Sequence, residues 1–272
     1  MYAPNLDRNT EKIRYEFLRP SEIIEIRDHT PIAYVPLGPL EWHAPHLPIG
    51  TDMLHAYALA LETARETGGV VLPPLPLGTE TVLEPDRVRD RGFKGDEKII
   101  GMDFPDLPLP SLYVEDSAFG VIVHEVIRAL KRQLFKVIVV VNGHGGKYHL
   151  ITLNRIVAEE SEPGKVIVLH GFHLDRGENK GGHAEKWETG LMLALYGDSV
   201  DLNALPEPPA PLKNTEFGIL DLPTCRGEPT SDFTVRLEQD PRFASEAQGR
   251  KNFDTEVHNL ARIALDALRQ LN

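Results

Sequence analysis

A chain of 272 residues with 41% hydrophobic and 26% charged residues can bury a sizeable core, and its net charge of −12 argues against nucleic acid or an anionic membrane as its main partner. The single cysteine, Cys225, excludes an intrachain disulfide and a thiolate zinc site and reads as inert. Neither a signal-type apolar core nor a run near the ~20 apolar residues of a spanning helix is present, so a cytoplasmic protein free of membranes is expected.

In chain order, "IAYVPLG" (32–38) reads as a buried strand closed by a Pro-Gly signal. "TDMLHAYALALETARETGG" (51–69) places Met53, Leu54, Ala58, Leu61 and Ala64 at helical spacing, with glycines as the stop. "VVLPPLPLG" is a further strand cut short by prolines. Residues 79–114 are irregular and rich in charge and proline, long for a connection inside one domain, and read as an insertion: a lid, a substrate wall, a subunit contact or a floppy loop. "FGVIVHEVIRALKRQL" (119–134) is an amphipathic helix, and "KVIVVVNGHGG" (136–146) is a strand ending in a glycine-rich turn. Helix "YHLITLNRIVAEES", strand "GKVIVLHGFH", helix "HAEKWETGLMLALYG", a proline-rich stretch at 197–230 and a long closing helix follow. Strands alternating with helices predict a single α/β domain, its mainly parallel sheet covered on both faces. Such sheets bind ligands beyond the carboxyl ends of their strands, so "EWH", "NGHGG" and "HAEKWE" are expected to converge on one edge.

Those clusters are dense in carboxylates and imidazoles. Glu41 and His43 are two apart and share a side in extended backbone. Asp52 falls at the expected N-cap of the next helix, and His144 stands in a turn whose glycines allow close approach. Glu41, Asp52 and Glu188 bring three negative charges, while His43 and His144 bring nitrogen donors. Two divalent cations would leave about one positive charge, which a hydroxide would balance, and in paired-metal sites the ions lie about 3.5–4 Å apart. A donor set of nitrogen and oxygen without sulfur suits Zn²⁺, Mn²⁺ or Fe²⁺, and Asp52 is well placed to bridge.

"LGPLEWHAPHLPIGTD", "VNGHGG" and "HAEKWETGLMLAL", in order over residues 32–196, resemble the three signature blocks of the creatininase (creatinine amidohydrolase) family. The resemblance implies a three-layer α/β/α fold, two divalent ions per subunit with Zn²⁺ first among them, and a homo-oligomer, usually a hexamer. It implies Glu41 and His144 on one metal, His43 and Glu188 on the other, Asp52 between them, and His183 beside the substrate as proton donor. His183 or Glu185 would then pass protons to the departing atom after activated water attacks a carbonyl of a small cyclic substrate. The chain departs from creatininase proper at Gly145-Gly146, where that enzyme has Tyr-Glu, and from many relatives at Ala44, Lys147 and Glu185-Lys186.

The expected reaction is cleavage of an amide-type C–N bond. Two alternatives are C–C hydrolysis of a cyclic diketone, as in the family's inositol-catabolic branch, which the 79–114 segment resembles, and metal binding without catalysis. His46 is expected to bond a ligand carboxylate, and His55, His149 and His173 to be ordinary. Trp187 reads equally as an aromatic wall or a core indole. Arg87, Arg89, Arg91, Lys94 and Lys147 either meet substrate or face water.

Overall fold

The computed structural model describes residues 12–89, 93–105, 107–171, 183–210, 212 and 238–271. Strands β1 (Ile32–Leu37), β2 (Val70–Val71), β3 (Val137–Asn142) and β4 (Ile167–Gly171) form one parallel sheet in the order β2-β1-β3-β4. The helices are α1 (Pro20–His29), α2 (Thr51–Thr67), α3 (Pro85–Arg89), α4 (Asp116–Arg132), α5 (Lys147–Glu160), α6 (Lys186–Tyr196) and α7 (Glu246–Arg269).

Alternation along β1 and β3 builds two cores, one on each face of the sheet. Ile32, Tyr34, Val137, Val139 and Val141 pack against Ala56, Leu59 and Ala60 of α2, Leu191 of α6, and Phe253, Val257 and Leu260 of α7. The intervening residues Ala33, Val35, Ile138 and Val140 meet Phe119, Val123, Ile127 and Leu130 of α4 and Leu153 and Ile156 of α5. Both strands are buried throughout, as expected of a parallel sheet covered on each side. The three-layer α/β/α arrangement follows.

One expectation changes in detail, and one element is added. The strand read at 70–78 is a regular strand only over Val70–Val71 and then keeps a single bridge from Leu75 to Leu37, because Pro73, Pro74 and Pro76 offer no N–H to a ladder. Helix α1, not singled out in the sequence, has no fully buried residue and packs only Ile23 and Ile26, part-buried, against the core. It is marked instead by Pro20 in its first turn and by the Glu22 carboxylate accepting the Arg19 N–H at 2.9 Å.

The strand order places the site. From β1 the chain crosses through α2 to β2 on one side; from β3 it crosses through α5 to β4 on the other. The crevice between β1 and β3 is therefore a topological switch point. Leu37 pairs with Asn142, so the loops that leave both strands start at the same level. Helix α6 is drawn against α7 by a close backbone approach, where a Cβ on Gly249 would stand 1.8 Å from the Gly190 carbonyl oxygen. Among the described residues no helix is long and apolar enough to cross a membrane.

Candidate metal centre

The β1–α2 loop carries Glu41 and His43 into the crevice. It reverses at Ala44, whose φ of 60° is a left-handed conformation that costs a non-glycine residue about 1–2 kcal/mol. A second such residue, Ala184 at φ 55°, stands beside His183 on the opposite wall. Asp52 is the second residue of α2. The N-cap is Gly50, so Asp52 lies two positions further in than its expected cap role and faces the crevice. From β3, Asn142 holds the next turn: its side-chain oxygen accepts the His144 N–H at 3.1 Å and its amide donates to the His144 carbonyl at 2.7 Å. Gly143 permits the close approach of the turn after β3 to α2, since a Cβ there would lie 2.0 Å from the Asp52 carbonyl oxygen.

Glu41, His43, Asp52, His144 and Glu188 come together, and none is more than 8% exposed. Their donor atoms form two triads, Glu41–Asp52–His144 and His43–Asp52–Glu188, each with all three atoms within 4.8 Å of one another. Asp52 belongs to both. Its Oδ1 lies 3.0 Å from His43 Nε2 and its Oδ2 lies 3.0 Å from His144 Nδ1. A third grouping brings His183 near Glu41 and His43.

Among the described residues no lysine or arginine pairs with these three carboxylates; only histidines do. Burying unpaired carboxylates costs several kcal/mol each, so compensating positive charge is required. Without metal, protons supply it. Burial opposes a charged His43, but Asp52, Glu188 and Glu41 override it and hold the imidazole at about 10. His144 is likewise raised well above its ordinary range against burial, through Glu41 and Asp52. Asp52 is pulled well below the usual carboxylate range by the two imidazoles, although burial pushes it the other way.

Divalent cations fit the same donors. His43 Nδ1 lies 3.0 Å from the Glu41 carbonyl, which can only accept, so Nδ1 carries the hydrogen. In the neutral ring this leaves the Nε2 lone pair facing carboxylate oxygens. That buried Nε2 makes no aligned hydrogen bond, although Asp52 Oδ1 is 3.0 Å away. Two electron-rich atoms at such separation call for a cation between them. Glu188 is held by the backbone: its Oε2, which lies 4.0 Å from His43 Nε2, accepts the Ala184 N–H at 2.5 Å. Asp52, Gly143 and Glu188 also line a small cavity walled by Leu191 and Met192.

The remaining histidines divide by what they touch. His183 Nε2 donates to the Trp42 carbonyl at 2.6 Å, which leaves Nδ1 3.9 Å from Glu41 Oε2, and its ring lies 4.1 Å from that of His43, tilted by 36°. His46 does not bond a ligand carboxylate: its Nε2 meets Thr189 Oγ1 at 2.8 Å, because α6 turns Thr189 and not Glu188 towards it. Burial, aided by the His43 and His183 charges, brings His46 down to about 4 and keeps it neutral. His149 supports the turn, its Nε2 bonding Asn142 Oδ1 at 2.9 Å. His55 pairs with Glu256 at 2.7 Å, tying α2 to α7. Glu185 caps α6, its Oε2 accepting the Trp187 N–H at 3.0 Å, and Trp187 packs in the core rather than forming a wall.

Arg87, Arg89, Lys94 and Lys147 lie on exposed surface, while Arg91, His173 and Cys225 fall outside the described residues. Two residues not singled out in the sequence do reach the centre. Glu80 Oε1 lies 3.1 Å from His144 Nε2, and the Tyr113 hydroxyl donates to Glu41 Oε1. No local pattern marks them, since their partners are 64 and 72 positions away along the chain.

The family model described as creatininase, creatinine amidohydrolase, matches residues 16–96 and 101–264. The chain belongs to the creatininase family. No curated protein sequence matches this creatininase-family chain. Among solved structures, a mutant creatininase of Zn-Zn type is 20% identical, with a TM-score of 0.64 over 92% of this chain and 96% of that one. A mutant creatininase complexed with creatine gives the same identity, TM-score and coverage. A manganese creatininase is 19% identical, with a TM-score of 0.63 over 92% of this chain and 96% of its own. At these identities the likeness establishes the fold, and the three-layer architecture agrees with it.

Proposed function

We propose that this creatininase-family hydrolase works through a dinuclear metal centre and opens an amide-type C–N bond in a small cyclic substrate. The observation that carries the reading is the pair of buried triads sharing Asp52, with only histidines as countercharge. Glu41, Asp52 and His144 would hold one ion; His43, Asp52 and Glu188 would hold the other. Zn²⁺ is the first candidate and Mn²⁺ or Fe²⁺ the next, since borderline cations accept imidazole and carboxylate together. Such a pair, when bound, supplies a water reactive at neutral pH and a Lewis acid for the substrate carbonyl.

The chain's own residues do the rest. Trp42 holds His183 with its hydrogen on Nε2, so Nδ1 is the atom that takes up a proton and delivers it to the leaving nitrogen. We assign that transfer to His183 and not to Glu185, whose carboxylate already caps α6. Assembly into a homo-oligomer and a cytoplasmic location belong to the same proposal.

The test is a turnover screen of metal-reconstituted protein against creatinine, dihydropyrimidines, formamidopyrimidines and cyclic diketones. Hydrolysis of a cyclic amide, lost on chelation and restored by added metal, is the expected result. Turnover of diketones alone would replace the C–N reading with the C–C one. Two bound ions with no turnover of any compound would leave a metal-binding protein.

A further inference from the structure

Building on the dinuclear reading, we infer that Glu80 and Tyr113, near the two ends of the 79–114 segment, are positioning residues for one ion of the pair and leave the other to backbone support. The geometry is one-sided. Glu80 can only accept, so His144 Nε2 carries the hydrogen of their 3.1 Å contact, and Nδ1 keeps its lone pair towards Asp52 and Glu41 at 3.0 and 3.2 Å. Tyr113 donates to Glu41 Oε1 and thereby turns Oε2 to the same point. Both braced residues belong to the Glu41–Asp52–His144 triad. In the other triad His43 is oriented by the Glu41 backbone carbonyl and Glu188 by the Ala184 backbone N–H.

The segment is built to hold these two groups. Its interior packs on its own small cluster of Val88, Ile99 and Phe104. Its end is sewn to the β1–α2 loop: Leu112 N–H donates to the Leu40 carbonyl at 2.7 Å, and Trp42 N–H donates to Ser111 Oγ at 3.0 Å. The Met102 N–H donates to the Tyr113 hydroxyl at 3.1 Å and sets its direction. Gly146 leaves room for that contact, because a Cβ there would stand 2.1 Å from Glu80 Oε1 and 2.6 Å from His144 Nε2. The last glycine of the "NGHGG" turn thus makes room for the glutamate behind the imidazole.

Groups behind metal ligands typically change affinity by about 10–100-fold when removed. The experiment follows zinc content by elemental analysis while free zinc is stepped down with a chelating buffer. Wild-type protein is expected to hold two ions. Glu80→Ala and Tyr113→Phe should each release one ion at about 10–100-fold higher free zinc and leave the other unmoved, with Glu80→Gln, which keeps an acceptor oxygen, recovering part of the loss. Combined with Glu188→Gln, which strips the second triad, either change should leave no tightly held ion.

Release of both ions at wild-type concentrations, equal weakening of both, or one ion surviving in the double variants would overturn the inference alone. A wild-type protein that binds no zinc would remove the dinuclear reading, and this inference with it. Far-UV circular dichroism confirms folding, and the Gln and Phe variants, which keep side-chain volume, guard against loss by misfolding.

Discussion

Replacing Asp52 by Asn keeps the volume of a buried side chain, removes its charge and turns one of its two acceptor oxygens into a donor. That residue has one oxygen 3.0 Å from His43 Nε2 and the other 3.0 Å from His144 Nδ1, so the change reaches both triads at once. An ion present at 100 times its dissociation constant stabilises the folded chain by about 2.7 kcal/mol, so two contribute about 5 kcal/mol. At ~2–4 °C per kcal/mol for a chain of this size, metal should raise the wild-type midpoint by about 10–20 °C. If the loss of charge weakens each site 100-fold, the two together contribute under ~1 kcal/mol and the shift falls below about 4 °C. Glu188→Gln is the calibrating comparison, because that side chain belongs to one triad. It should retain about 3 kcal/mol, a shift of roughly 6–12 °C. Thermal denaturation with and without zinc, alongside elemental analysis, gives both readings. Should the Asp52 variant keep two ions, or respond to metal as the Glu188 variant does, the bridging role is wrong.

Two further outcomes test the centre. His183→Ala should retain both ions while turnover falls by about 10²–10⁴-fold, measured as metal content and kcat on the same preparation; loss of an ion would make this histidine a ligand and refute the proton-transfer role. In the metal-free protein His43 is raised in the folded state from an ordinary 6.5 to about 10. Its pairing therefore contributes fully below about pH 6.5 and is lost as pH rises through about 10. The midpoint in chelator should fall from pH 7 towards 10, and zinc should flatten the decline by replacing the proton; a flat curve in chelator would contradict the pairing.

Periodicity in the chain was enough to locate β1, β3, α2, α4 and α7, because burial on one face or on both is written locally in side-chain polarity. The donor set was readable for a related reason, since parallel sheets display ligands where strands end and turn residues begin. Helix α1 escaped because only Ile23 and Ile26 pack, part-buried, against the core, and β2, read as a strand cut short by prolines, is shorter still than its apolar residues suggest.

The chain alone therefore determined which polar groups would gather, namely Glu41, His43, Asp52, His144 and Glu188, and that their carboxylates would need compensating positive charge. Only the folded molecule decided their partition: two imidazoles on opposite oxygens of Asp52, His46 on Thr189, and the remote Glu80 and Tyr113 behind one triad. The physical reason is register. Pairing Leu37 with Asn142 sets the distances between loops far apart in sequence, and hydrogen bonds and ligand geometry depend on those distances rather than on local pattern.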